Sequence, residues 1–427
     1  MKRLSRISTF IVALLVLLSI GFAAYTFWFN ATAQSRYEAR VTERQREGRP
    51  SRLADLNGDA VPADKDAAAQ LAIISDAKKD LHSRIDEHLP DDAIPNRYLT
   101  ENELTPIQAL FADKSSLLQQ LTAISQLPSF YSPLPNEARF ADVIDNSIST
   151  DLTHLSMACD LLRTRALQTH AEGQLDASLQ SLYSALAYAH LANQAPTADG
   201  FLFFTRETTL TLRTLNLVLQ QSSLSDPQYT ELKAKLDQIQ TTAALRKALI
   251  ADSAAYATGL IEQEGALSWF NRGRVYSALV YHYDMYDGFT ADIEIPLDQW
   301  EAKYGGFDTP FSWNPFINLV NLNQANCVAY RTIAERIEIL KKTVLVLAKV
   351  QQKVATNTAD ITIGNLGLTA DEIEDPYSKQ PLIFKGSPGE GWFIYSVSSN
   401  RQDDGGDFES GKDHGIGPPQ VANSEQP

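Results

Sequence analysis

Leu175-Asp-Ala-Ser-Leu179-Gln-Ser-Leu182-Tyr-Ser-Ala185-Leu186 decides the fold class of this 427-residue chain. Its four leucines advance by four, three and four residues, which places them on one face of an α-helix and rules out the period of two that a strand requires. Upstream, Leu155, Cys159, Leu162 and Ala166 repeat the spacing, and downstream Leu212, Leu215 and Leu219 do so again. Ser225-Asp226-Pro227 opens a further helix with a cap and an early proline. Glycines are scarce from Val61 to Glu264, only Gly173, Gly200 and Gly259. The expected fold is mainly α: a helical domain over residues 61–357, built as a bundle or as an irregular solenoid similar to tetratricopeptide repeats. Ala166, Gly173, Leu182 and Ala185 fit the small-residue, turn and packing positions of one such repeat, but no second copy follows about 34 residues on.

Tyr330, Ile333, Ile337, Leu340, Val344 and Leu347 alternate steps of three and four, an a/d seam too short for a long coiled coil and suited to packing within the bundle. Between this seam and the earlier helices, residues 265–316 break the leucine pattern. They hold 13 of the 39 aromatics, interleaved with Asp284, Asp287, Asp292, Glu294, Asp298, Glu301 and Asp308. Rings beside carboxylates stack on and hydrogen-bond sugars, so Trp269, Trp300 and Trp313 are candidate ligand-binding residues in an insertion. The competing reading is that these rings pack the insertion onto the bundle.

At the other end, Thr9–Phe29 is an uncharged run of 21 residues behind Lys2, Arg3 and Arg6. As a helix it extends roughly 31 Å, enough to span a bilayer. Tyr25, Phe27, Trp28 and Phe29 at its distal end match the ring belt of a membrane interface. The expectation is a cytoplasmic tail at 1–8, a transmembrane helix at 9–29 and a polar juxtamembrane stalk at 30–60. Ala31-Thr32-Ala33 has the form of a cleavage site, but the apolar run exceeds the h-region of a cleaved signal, about 7–15 residues. Arg36, Arg40, Arg44, Arg46, Arg49 and Arg52 argue by the positive-inside rule for a cytoplasmic domain. Glu38, Glu43 and Glu47 among them, and the cost of translocating the basic tail, argue for an extracytoplasmic one. The second orientation is favoured.

Charge divides the chain in the same way. Residues 1–52 carry nine basic and three acidic side chains, or +6, so the rest of the −15 chain carries −21. So acidic a domain repels phosphate backbones, which excludes nucleic acid as the expected partner. Cys159 and Cys327 fit either one long-range disulfide or two buried thiols, and the seven histidines show no zinc-type spacing.

From residue 358 the composition shifts, and from Asp360 onward acidic residues outnumber basic ones twelve to four. Pro381-Leu-Ile-Phe-Lys385 and Trp392-Phe-Ile-Tyr-Ser-Val397 flank the turn-rich Gly386-Ser-Pro-Gly-Glu-Gly391 and read as a β-hairpin. The order Asp375-Pro-Tyr-Ser-Lys-Gln-Pro-Leu382, Tyr395-Ser-Val397 and Asp403-Asp-Gly-Gly406 resembles the C-terminal β-region of major pseudopilins of type II secretion. It is still more similar to the tail of uncharacterised single-pass bacterial membrane proteins that join such a module to an α-helical domain. The resemblance covers about residues 360–415 of a module expected at 358–415, ahead of a flexible tail at 416–427. In pseudopilins this loop binds calcium, which implies Asp403, Asp404, Asp407 and Asp413 as oxygen ligands. Ser398-Ser-Asn-Arg401 departs from the Gly and Asp-Gly of the relatives.

Other patterns fall short of a site. Gly406-Asp-Phe-Glu-Ser-Gly-Lys412 lacks the Ser or Thr that would complete a phosphate loop. Asp55 through Asp66 has EF-hand-like oxygens but Ala60 where the sharp turn needs glycine, and reads better as a capped helix start before Ala67. Glu262 with Glu264 and Asp284 with Asp287 are the carboxylate pairs that glycoside cleavage would use. No nucleophile constellation accompanies them. The expected function is a membrane-anchored structural or protein-interaction component of the bacterial cell envelope, with a glycan-binding protein or glycosidase using 265–316 as the alternative.

Overall fold

The computed structural model describes residues 2–89, 97–132, 148–195, 197–264, 271–304, 312–356, 361–408 and 410–419. Among these the chain is mainly helical. The helices are α1 (Lys2–Arg46), α2 (Ala67–Ile73), α3 (Ser75–Asp86), α4 (Glu101–Asp113), α5 (Ser115–Ile124), α6 (Ile148–Ala171) and α7 (Leu175–Ala192). There follow α8 (Ala198–Gln221), α9 (Asp226–Asp237), α10 (Thr241–Glu264), α11 (Arg272–Ala291), α12 (Leu297–Tyr304), α13 (Pro315–Ala355) and α14 (Ala370–Ile373).

The leucine spacing does what its period requires. Leu179, Leu182, Ala185 and Leu186 of α7 are buried with Leu155, Cys159, Leu162 and Ala166 of α6 in one core. The two helices turn at Gly173, whose φ of +74° suits glycine at a helix C-terminus. Ser225 caps α9 reciprocally with Gln228, and Pro227 sits in the first turn. Asp66 caps α2 through the amides of Ala68 and Ala69 and also accepts from Tyr131 N at 2.8 Å, so the residues resembling an EF-hand loop end in a capped helix start.

The aromatic-rich residues 265–316 are themselves mostly helical over their described part, because α11 and α12 fill most of it and α13 begins at Pro315, capped by Asn314. Tyr283, Tyr286, Phe289 and Trp300 supply the buried face that leucines supply elsewhere, so a leucine count reads this region as broken. The stretch 30–60, expected as a stalk, is corrected: α1 runs unbroken for 45 residues and its distal end, with Ala33, Tyr37 and Arg44 buried, lies along α11.

The hairpin forms as expected, β1 (Ile383–Ser387) antiparallel to β2 (Gly391–Ser396) with Phe384 opposite Ile394. A third strand, β3 (His414–Ile416), pairs with β2 and places Ile416 opposite Ile394. The tail expected from 416 therefore begins inside the sheet, with Ile416 buried. Sequence hides β3 because it is three residues long with Gly415 at its centre, where a Cβ would come 2.2 Å from the Ile394 carbonyl oxygen. The sheet is fastened to the helices by Gln220, which donates to Trp392 O at 2.9 Å and accepts from Trp392 N at 3.1 Å, and by Asn216, which donates to Gly417 O. Cys159 and Cys327 are both buried free thiols, which decides between the two readings left open above.

Candidate functional site

The junction of α1 with α11 is built by a three-four spacing on both helices. Asn30, Ala33, Tyr37, Arg40 and Arg44 face Gly273, Tyr276, Val280, Tyr283 and Asp287, and the two helices run parallel. At the near end, Asn30 Oδ1 accepts from Gly273 N at 2.8 Å, and a Cβ at 273 would lie 2.7 Å from the Phe29 ring. A larger residue there would force the Phe29 and Asn30 side chains to shift. In the middle, Tyr37 stacks on Tyr283 and packs against Tyr276. At the far end three arginines meet one carboxylate. Asp287 lies 2.6 Å from Arg40, 2.5 Å from Arg44 and 2.9 Å from Arg49.

Arg44 is fully buried, its guanidinium 4.4 Å above the Tyr283 ring and donating to Pro50 O at 2.9 Å. Tyr283 donates to Ser51 O at 2.6 Å, which turns the chain back across the helix end. Burial works against the charge of Arg40, but Glu43, Asp287 and Asp284 outweigh it and raise its pKa. A buried cation needs such partners to remain ionised without large cost. Asp284 and Asp287 are thus counterions of α1. Glu262 is exposed at the end of α10, and the side chain of Glu264 lies outside the described residues.

The two candidate tryptophans among the described residues do not form a platform. Trp269 lies outside the described residues. Trp300 is completely buried, packed between Phe289 and Tyr304 with centroids at 5.5 and 4.9 Å, so it offers no ring face to a sugar. Trp313 is 92% exposed on the turn before α13. This favours the packing reading for Trp300 and separates it from Trp313.

The four acidic residues of the C-terminal loop are likewise held apart. Asp403 accepts from Lys385 at 2.8 Å and from the Tyr395 hydroxyl at 2.7 Å, and these bonds with the Gly405 amide lower its pKa to about 2. Asp404 accepts from Asn400, Asp407 from Ser410, and Asp413 from the amides of Gly406 and Asp407. Lysines stand beside two of the four, Lys385 at Asp403 and Lys412 at Asp407. Among the described residues no three acidic, His or Cys side chains converge as a metal site would require. Asp413 keeps one buried oxygen, Oδ1, without a hydrogen-bond partner, while Asp403, Asp404 and Asp407 are engaged by Lys385, Tyr395, Asn400 and Ser410. These carboxylates hold the loop that delivers β3.

Sequence reasoning missed Asp375. Buried at the base of the sheet, it accepts from Ser396 Oγ at 2.7 Å, Ser378 Oγ at 2.9 Å, Tyr377 N at 3.0 Å and Val397 N at 3.2 Å. It ties the Asp375-Pro-Tyr-Ser segment to the end of β2. Also missed was a cleft of about 590 Å³ between α10 and the segments at 56–61 and 129–132, where Arg246 and Lys247 stand beside Phe130 and Ile250. Both cations have protein partners, Arg246 with Glu294 and Lys247 with Asn193 O.

No family model, no curated protein and no solved structure matches this chain. One helix, α1, is long and apolar enough to cross a membrane, among the residues searched.

Proposed function

We propose that this chain is a single-pass bacterial membrane protein whose helical domain and C-terminal β-module serve as a structural or protein-interaction component of the cell envelope, with the large domain on the extracytoplasmic side. The observation that carries the reading is the course of α1. Ile11 to Trp28 expose their large apolar side chains, and the same helix then locks onto α11 through Asp287. Apolar surface of that extent is stable in lipid and not in water. Three of the arginines that argue for a cytoplasmic domain contact Asp287 in the fold. On this reading the C-terminal sheet is the pseudopilin-like module that the residues from Asp375 to Gly406 suggest. The α6–α7 hairpin supports a helical-repeat scaffold with one tetratricopeptide-like unit.

The test is capture of the full-length protein from gently solubilised native membranes, with protease shaving of intact cells stripped of outer layers. Co-purification of a reproducible set of envelope proteins, and shaving of residues beyond 46, are expected. Recovery of the protein alone, or protection of the domain, overturns the reading.

A further inference from the structure

We propose that the membrane-proximal end of the helical domain, around Arg274 and Trp313, is a second lipid contact beside α1, with Arg274 binding the phosphate of an anionic phospholipid. The inference rests on the membrane-spanning reading of α1. Its starting point is the level of the contacts. The apolar run ends at Phe29, and the Phe29 ring and Asn30 carboxamide lie against Gly273 in the first turn of α11. Arg274 is the next residue, so it stands at the height where the span leaves the hydrocarbon.

The turn before α13 is tied to that height. Asn314 donates from Nδ2 to the Arg274 carbonyl at 2.8 Å while its Oδ1 accepts from Phe316 N. Asn318 accepts from Ser312 N at 3.0 Å and donates back to Ser312 O at 2.9 Å. Trp313 sits between these fixed residues with its side chain 92% exposed. A rigidly presented, solvent-facing indole at the level of the headgroups is in the environment its amphipathic ring favours.

A groove of about 410 Å³ separates α1 from the start of α11, lined by Phe22, Tyr25, Thr26, Phe29, Asn271 and Arg274. It has an apolar wall continuous with the span, one cation at its mouth and no acidic lining residue. That is the distribution of a phospholipid, with acyl chain and glycerol along the rings and phosphate on the guanidinium. The arginines farther along the chain differ, because Arg40 and Arg44 of α1 and Arg49 just past its end are each paired to Asp287. Arg274 has an exposed side chain and forms no ion pair among the described residues.

The experiment uses the full-length protein in nanodiscs of phosphatidylcholine with phosphatidylglycerol. An environment-sensitive fluorophore is placed at Trp313→Cys and, separately, at Leu17→Cys, the native thiols being buried. Quenching of the probe at 313 by lipid spin-labelled near the headgroup, and of the probe at 17 by lipid spin-labelled deep in the acyl chain, is expected. Quenching at 17 alone overturns this inference and leaves the span intact, whereas quenching at neither overturns both. In the second arm, Arg274→Gln keeps the backbone carbonyl that Asn314 uses. It should lower phosphatidylglycerol retained in native mass spectrometry about fivefold, with phosphatidylcholine unchanged. Equal retention by the variant overturns the phosphate assignment.

Discussion

Arg44 of α1 and Asp287 of α11 lie 243 residues apart in the chain and 2.5 Å apart in the fold, with the Arg44 side chain buried. This pair makes the distal part of α1 part of the domain. The stretch between the apolar run and residue 46 is a packed seam against α11.

Removing the shared carboxylate should therefore cost more than a surface ion pair would. Asp287→Ala leaves Arg44 buried without its counterion, and a loss of roughly 3–5 kcal/mol is expected. Thermal unfolding in detergent reads the loss, and limited trypsin digestion should newly cut between Arg36 and Arg52. Gly273→Ala acts at the other end of the seam, where the added Cβ meets Asn30 at 2.5 Å, and should destabilise by about 1–3 kcal/mol.

His282 supplies a pH dependence. Its Nε2 lies 3.0 Å from the Ser253 carbonyl, and burial, assisted by Arg44 and opposed by that hydrogen bond and Asp287, lowers its pKa to about 4. The folded state thus holds the ring neutral while the unfolded chain protonates near 6.5. Its contribution is full above the unfolded pKa and is lost as pH falls toward about 4, close to 3 kcal/mol in all, on the order of 1.4 kcal/mol per unit. Denaturant titrations of wild type and His282→Asn across this window should diverge at neutral pH and converge in acid.

Trp300→Ala should behave as a core truncation, losing about 3–5 kcal/mol. Trp300→Phe should recover most of that loss. A Trp300→Phe protein that keeps its melting temperature but loses affinity for envelope glycans would restore the sugar-binding alternative.

The C-terminal loop should be insensitive to chelation. Asp413 accepts from the Gly406 and Asp407 amides, and Asp375 holds Ser396 and Val397. Ala at either position should lower the melting temperature, the loss being about 1–3 kcal/mol for stranded buried donors. Excess EDTA should leave wild-type melting unchanged, and a calcium-dependent rise would contradict the arrangement described.

The legible parts of the sequence are those where one residue type marks one role. Leucines at three-four spacing mark α6, α7 and α8, and the β-branched and aromatic run around Ile394 marks the hairpin. The α1–α11 seam has the same period, but its positions are held by Asn30, Arg40, Arg44, Gly273, tyrosines and Asp287. Hydrophobicity is blind to a contact made of charge and rings. Asp375 was unreadable for a related reason: its four partners come from two segments that only folding brings together. The loop carboxylates were read by type and spacing, while their partners Lys385 and Tyr395 lie on the neighbouring hairpin.

Hydrogen exchange of the full-length protein in nanodiscs tests the central claim most directly. If the anchor continues into the domain, amides from Leu18 through Arg46 form one slowly exchanging block whose protection beyond Phe29 is lost in Asp287→Ala. Fast exchange between Asn30 and Arg46 in the wild type, with protection confined to the span, would contradict it.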